Sequence, residues 1–136
     1  MPSETDYKRA FRASYKGWIS AVEPGRGSDT GAADLLVLVG DVIVPVELKI
    51  AEPEEGMLWV KKPGIRPAQI AWHSTLWRSG GFSLFAFGIW RDKAWHTAFV
   101  HGHEVANWRD GFDYFSDFRA DELKNELERL TGRFFD

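Results

Sequence analysis

Two apolar runs separated by a dipeptide turn constrain the fold of this chain more than any other feature. Residues 35–39 and 42–49 are rich in Val, Leu and Ile, and they are interpreted as two neighbouring strands. The dipeptide Gly40-Asp41 between them predicts a two-residue hairpin turn, so Val39 should pair with Val42. Because both strands are apolar on both faces, they should be central strands of a sheet that is covered on each side.

This register would bring two carboxylates together. Counting back from the turn puts Asp34 directly opposite Glu47, where Cβ atoms lie roughly 4.5–5.5 Å apart. Lys49 follows two residues after Glu47 and should point to the same face. Pro45 in the same strand needs a position where its missing amide is not paired, or a bulge.

Two carboxylates this close repel each other and are costly to bury without a compensating cation. A divalent metal ion would supply that positive charge. The structural alternative is a buried ion pair between one of the acids and Lys49, but such pairs contribute little net stability. The pattern therefore favours a metal site over a purely structural pair.

These residue types suit metal-assisted hydrolysis of a phosphodiester. Mg²⁺ prefers oxygen ligands and keeps several waters when one or two carboxylates bind it. Asp34 and Glu47 are the predicted ligands, with the backbone carbonyl of Leu48 as a third. The ion would polarise a phosphoryl oxygen and lower the pKa of a bound water. Lys49 would orient that water or stabilise negative charge, and acting as a base would require a strongly depressed pKa.

The rest of the chain predicts a single mixed α/β domain that spans residues 1–136. The expected elements are a helix capped by Ser3 with Asp6 and ending at Gly17, a strand over 18–23, a polar loop over 50–66, a helix over 67–78, a hairpin of strands 82–90 and 93–101 around Arg91-Asp92, and a helix over 120–130.

Composition limits the class of protein further. The chain has no cysteine, no apolar run as long as a membrane span, and a polar N-terminus, so we expect an intracellular protein without disulfides or a membrane anchor. The net charge of −3 is unusual for a protein that binds nucleic acid, but the acidic excess lies in residues 101–136. The candidate DNA contacts are Lys8, Arg12, Trp59, Lys61, Lys62 and Arg66, and the alternative is that these are ordinary solvated side chains.

The order of motifs resembles the PD-(D/E)xK nuclease superfamily. The motifs are Gly31-Ala-Ala-Asp34, then Glu47-Leu-Lys49, then Pro67-Ala-Gln69 at the start of a helix. More narrowly, they are similar to the VRR-NUC (virus-type replication–repair nuclease) group of small phage and bacterial proteins, some of them related to Holliday-junction resolvases. The resemblance implies a restriction-endonuclease-like central mixed β-sheet flanked by helices, and a homodimer that cleaves DNA with Mg²⁺ or Mn²⁺.

The resemblance also implies roles for individual residues. Asp34 and Glu47 match the metal-binding acids, Lys49 the catalytic lysine, and Gln69 a glutamine near the active site. Glu4 matches an acid on the first helix that would contact the metal through water, although a surface pair with Lys8 explains it equally well.

The expected function is a metal-dependent DNA endonuclease that acts on branched DNA. A restriction-like or general DNA-repair nuclease and a non-catalytic DNA-binding module are the alternatives. Ala33 stands where the superfamily often has proline, and Pro45 is unusual in the catalytic strand.

Overall fold

A computed structural model describes residues 2–15, 17–22, 31–39, 42–62, 64–113 and 118–119. Their elements are α1 (Glu4–Ser14), β1 (Ile19–Ala21), β2 (Leu35–Val39), β3 (Val42–Glu54), β4 (Met57–Val60), α2 (Pro67–Arg78), β5 (Leu84–Arg91), β6 (Ala94–His101), a 3₁₀ helix (Gly102–Asp110), β7 (Phe112–Asp113) and β8 (Phe118–Arg119). The helix predicted over 120–130 lies outside the described residues.

The strands form one mixed sheet in the order β1-β2-β3-β5-β6-β8, with β4 joining β3 to β7. The pair β3 and β5 is parallel and the other pairs are antiparallel. Parallel pairing of β3 with β5 follows from the helical crossover, because α2 lies between them in the chain. The predicted fold class, a mixed α/β fold with a mixed sheet flanked by helices, is confirmed.

The hairpin of β2 and β3 has the predicted register. Val39 pairs with Val42, and the pairing continues to Leu35 with Val46. A two-residue hairpin closes on a hydrogen-bonded pair, and such pairs alternate with non-hydrogen-bonded ones along the ladder. Pro45, opposite Leu36, therefore takes a non-hydrogen-bonded position towards β2, and pairing of β3 with β5 begins only at Val46. The sheet accommodates the proline because its nitrogen does not have to donate a hydrogen bond there.

Each face of the sheet is covered by an apolar layer, as predicted for strands that are apolar on both sides. On one face, Tyr7 and Phe11 of α1 are buried against Val37 and Val46. On the other face, Phe85 and Phe87 of β5 pack with side chains from β4, α2 and the 3₁₀ helix. The alternation along β3 puts Glu47 and Lys49 on this second face, opposite Phe85 and Phe87 of the neighbouring strand.

The prediction of a polar loop over 50–66 is wrong for most of that segment. Instead, β3 continues to Glu54 and turns back into β4 through Glu55-Gly56. Both turn residues have positive φ, 52° and 79°, which is the two-residue hairpin geometry. The Glu and Lys residues of this segment suggested a loop, but Ala51 and Leu58 on the hairpin are buried and Glu52 and Trp59 are exposed.

The remaining boundaries differ by a few residues from those predicted. The turn of the second hairpin is Asp92-Lys93, so Arg91 pairs with Ala94, one position away from the predicted turn. The capping box of Ser3 and Asp6 is present, but α1 ends at Ser14, three residues before Gly17. The predicted strand over 18–23 is shorter and covers Ile19–Ala21.

Candidate metal centre

Two hydrogen bonds from backbone amides hold the two acids together at the N-terminal end of β2. The amide of Asp34 donates to Glu47 Oε2 at 3.0 Å, and the amide of Leu48 donates to Asp34 Oδ2 at 2.9 Å. Each carboxylate therefore accepts a hydrogen bond from the backbone of the segment that carries the other. The carbonyl of Asp34 accepts from the amide of Val22 at 2.9 Å, which fixes the main chain on its other side.

The first turn of α2 brings Gln69 to the same pair. Its Nε2 donates to Glu47 Oε1 at 2.5 Å, and its Oε1 accepts from the amide of Arg66 at 3.0 Å. Pro67 begins this helix at a position where its missing amide costs nothing. Because the helix end fixes the side-chain oxygen of Gln69, the nitrogen must face Glu47, whose two oxygens then both accept a hydrogen bond.

Two lysines lie beside the acids, and they differ in their contacts. Lys49 is only 7% exposed and shares the face of Glu47, but no acid among the described residues lies within ion-pair distance of it. Lys8 of α1 has its Nζ 3.5 Å from Asp34 Oδ1 and 3.9 Å from Glu4 Oε1. Among the described residues, Lys8 thus links Glu4 to Asp34.

Burial, and then the charge of Asp34, raise the pKa of Glu47 to about 8. The nearby charges of Lys49 and Lys8 and the hydrogen bond from the Asp34 amide lower that pKa, but they do not offset the burial of a side chain that is 2% exposed. The positive charge around Glu47 is thus too small to compensate for its burial beside a second acid.

The donors fit a hard, partly hydrated cation. Asp34 and Glu47 supply carboxylate oxygens. The third predicted ligand is the carbonyl of Leu48, a β3 residue that lies past the end of β2 and whose amide already contacts Asp34. Within the described part of the chain, no three His, Cys, Asp or Glu side chains gather to hold a metal. Two carboxylates with water completing the shell are a common arrangement for Mg²⁺.

Five of the six residues predicted to contact DNA line two grooves. Lys8 and Arg12 line a groove along α1 together with Arg9. Trp59, 39% exposed, lines a second groove with Lys61 and Lys62, near the N-terminal end of α1. Lys61 is paired with Glu52 at 2.7 Å, and Arg66 is an exposed residue at the start of α2.

Two features of the site were not predicted from the sequence. One is the contact of Lys8 with Asp34, because the sequence indicated only that Lys8 follows Glu4 by four residues on the first helix. The other is Gly31, which has φ +72° and lies against the first turn of α2, where a Cβ would come within 2.0 Å of the Ala68 carbonyl oxygen. The positive φ explains why the motif before Asp34 begins with glycine.

No family model matches this chain, and neither does any curated protein. Among solved structures, it is similar to that of Hjc from Archaeoglobus fulgidus, a Holliday junction resolvase from an archaeal hyperthermophile. The two are 16% identical, with a TM-score of 0.49, and the alignment covers 89% of this chain and 96% of that one. None of the described helices has the length and apolar character to cross a membrane.

Proposed function

We propose that this chain is a metal-dependent deoxyribonuclease that hydrolyses phosphodiester bonds, with Mg²⁺ or Mn²⁺ held by Asp34, Glu47 and the Leu48 carbonyl. The observation that carries the proposal is the interlocked carboxylate pair beside a buried lysine that has no acid partner among the described residues. A structural ion pair would need Lys49 to contact one of the acids. The arrangement instead keeps two carboxyl groups together, which favours a role in binding a cation over a role in stability.

The side chains of the site would each have a separate task. A bound divalent ion would polarise a phosphoryl oxygen and acidify a water molecule. Gln69 holds the orientation of the Glu47 carboxylate through one oxygen. Lys49, on the same sheet face, would offset the negative charge that builds on the phosphate during attack. Asp34 needs no rearrangement to bind, because Leu48 already fixes one of its oxygens.

Branched DNA is the substrate that we propose within this class, and the order of the sequence motifs is what supports it. Two grooves border α1, and they offer separate paths for two DNA strands that leave a branch point. One groove is lined by Lys8, Arg9 and Arg12, and the other by Trp59, Lys61 and Lys62. Aromatic and cationic side chains of this kind suit stacking on bases and contact with phosphates.

Wild-type protein with Mg²⁺ or Mn²⁺ is expected to cleave a four-way junction faster than a flap, and a flap faster than linear duplex of the same sequence. Rates under single-turnover conditions on the three labelled substrates measure this, with a chelator as the control for metal dependence. Equal rates on all three would remove the preference for branched DNA and leave a general nuclease. Absence of cleavage of any DNA with either metal would favour a non-catalytic DNA-binding module.

A pH dependence of metal binding follows from the raised pKa of Glu47. A carboxyl whose pKa is raised in the fold favours the protonated folded state, so its contribution to stability is present below the unfolded pKa and is lost as pH rises towards about 8. Metal must displace that proton at low pH but not at high pH. Saturating Mg²⁺ should therefore raise the melting temperature more at about pH 8.5 than at about pH 6.

Thermal melts with and without Mg²⁺ at the two pH values check this prediction, with Glu47→Gln as the variant that lacks the titrating group. A Mg²⁺-induced shift that is the same at both pH values in the wild-type protein would contradict it.

A homodimer, which would present two active sites to two strands, stays a prediction. Light scattering of the purified protein across a range of concentrations measures the mass directly, and a monomer at all of them would remove this part of the proposal.

A further inference from the structure

Lys8 bridges a metal-binding acid and a basic groove. Its ammonium lies 3.5 Å from Asp34 Oδ1 and 3.9 Å from Glu4 Oε1, and its charge also lowers the pKa of Glu47. The same side chain lines the groove along α1 with Arg9 and Arg12. One flexible cation thus has two alternative environments within its reach, the acids on one side and the groove on the other.

We propose that Lys8 is a tethered counter-ion of the metal-free site and that it leaves Asp34 for the groove when a divalent cation binds. The inference rests on the proposed function, since it assigns a role to Lys8 at the same metal site. In the groove, the released ammonium joins two arginines and makes a stronger site for the phosphates of DNA. Lys8 would then couple the binding of metal to the binding of DNA.

The position of Lys8 makes this exchange easy. Its side chain is 39% exposed and that of Asp34 is 28% exposed, so the pair is one that water and salt weaken. A lysine side chain also has a long flexible stem and can move its charge without moving α1. A divalent ion at the acids would repel an ammonium only a few ångströms away. The ion would also replace Lys8 as the positive partner of the Asp34 carboxylate.

The coupling must be reciprocal. If metal moves Lys8 into the groove and thereby tightens DNA binding, then DNA must tighten metal binding by the same factor. The same side chain should therefore weaken metal binding in the absence of DNA, because its charge competes with the ion. Removing that charge should have opposite effects on the two ligands.

The test compares Lys8→Gln with Arg9→Gln, which loses the same charge from an exposed neighbouring position on α1. In calorimetric titrations with Mg²⁺ at about pH 8.5, Lys8→Gln should bind the ion about three- to tenfold more tightly than wild type, and Arg9→Gln should remain near wild type. Unchanged affinity in Lys8→Gln, or an equal gain in Arg9→Gln, would overturn the inference while leaving the metal site intact. Absence of Mg²⁺ and Mn²⁺ binding by wild type would overturn the proposed metal site as well.

A second measurement follows DNA binding in a Lys49→Met background, in which junction DNA should stay uncut. Mg²⁺ is expected to tighten DNA binding in that background, and adding Lys8→Gln should abolish most of the gain. It should also reduce the slope of log affinity against log salt by about 0.7–0.9, the amount for one lost phosphate contact. An undiminished effect of Mg²⁺ in the double variant would overturn the coupling. Lys93→Gln, in the turn between β5 and β6, serves as the remote control.

Discussion

Glu47→Gln is expected to lower the rate of metal-dependent DNA cleavage by about a thousandfold. The substitution keeps the size of the side chain and removes the charge, so the proposed ion loses one of its two carboxylate ligands. A loss of roughly 4 kcal/mol of transition-state stabilisation corresponds to a thousandfold in rate. Single-turnover cleavage of a junction substrate with saturating Mg²⁺ measures the effect.

The chain offers a matched control on the same strand. Glu54 lies on β3 as well, but it is exposed and far along the strand from the acid pair, so Glu54→Gln should cleave at the wild-type rate. Melting temperatures of both variants without metal show whether a loss of activity comes from unfolding. If Glu47→Gln cleaves DNA as fast as wild type, the proposed site is wrong.

Gly31→Ala is expected to destabilise the protein by more than about 2 kcal/mol and to reduce cleavage as well. An alanine would have to adopt φ +72° and place its Cβ 2.0 Å from the Ala68 carbonyl oxygen. Relief of that clash must push the segment before Asp34 away from the first turn of α2. The backbone amide of Asp34 and the side chain of Gln69 would then no longer reach Glu47 together. Chemical denaturation and the cleavage assay measure the two effects.

Gly56→Ala separates the effect of a positive φ from the effect of the contact between Gly31 and Ala68. Gly56 also has positive φ, at +79°, but a Cβ added there would meet no atom of another segment within 4 Å. We expect this variant to lose about 1 kcal/mol of stability and no catalytic rate. Equal losses of stability and activity in both variants would contradict the argued contact between Gly31 and α2.

Local sequence patterns predicted the parts of the fold that depend on neighbours in the chain. The apolar runs and the dipeptide turn predicted the register of β2 and β3, which the structure has from Val39 with Val42 to Leu35 with Val46. Continuing that register by one position predicted Asp34 opposite Glu47. The capping box of α1 was visible for the same reason. The hairpin of β3 and β4 was missed because its many charged residues were interpreted as a loop, although its buried and exposed residues alternate in part.

The rest of the site depends on contacts between distant segments. Gln69 was placed near the acids only through the resemblance to a nuclease superfamily, since nothing in its own helix points to Glu47. The contact of Lys8 with Asp34 spans 26 residues of sequence, and that of Gly31 with Ala68 joins a loop to a helix. Periodicity within one element carries no information about such pairs, because packing of α1 and α2 on the sheet creates them.

The hydrogen bonds from backbone amides to the two acids mean that assembly of the proposed ligand set and closure of the hairpin are one event. The amide of Asp34 donates to Glu47 and the amide of Leu48 donates to Asp34. The two acidic side chains therefore lose their rotational freedom when β2 and β3 pair. A cation at the proposed site would meet oxygens that are already ordered, and its affinity would not be reduced by the entropy cost of ordering them.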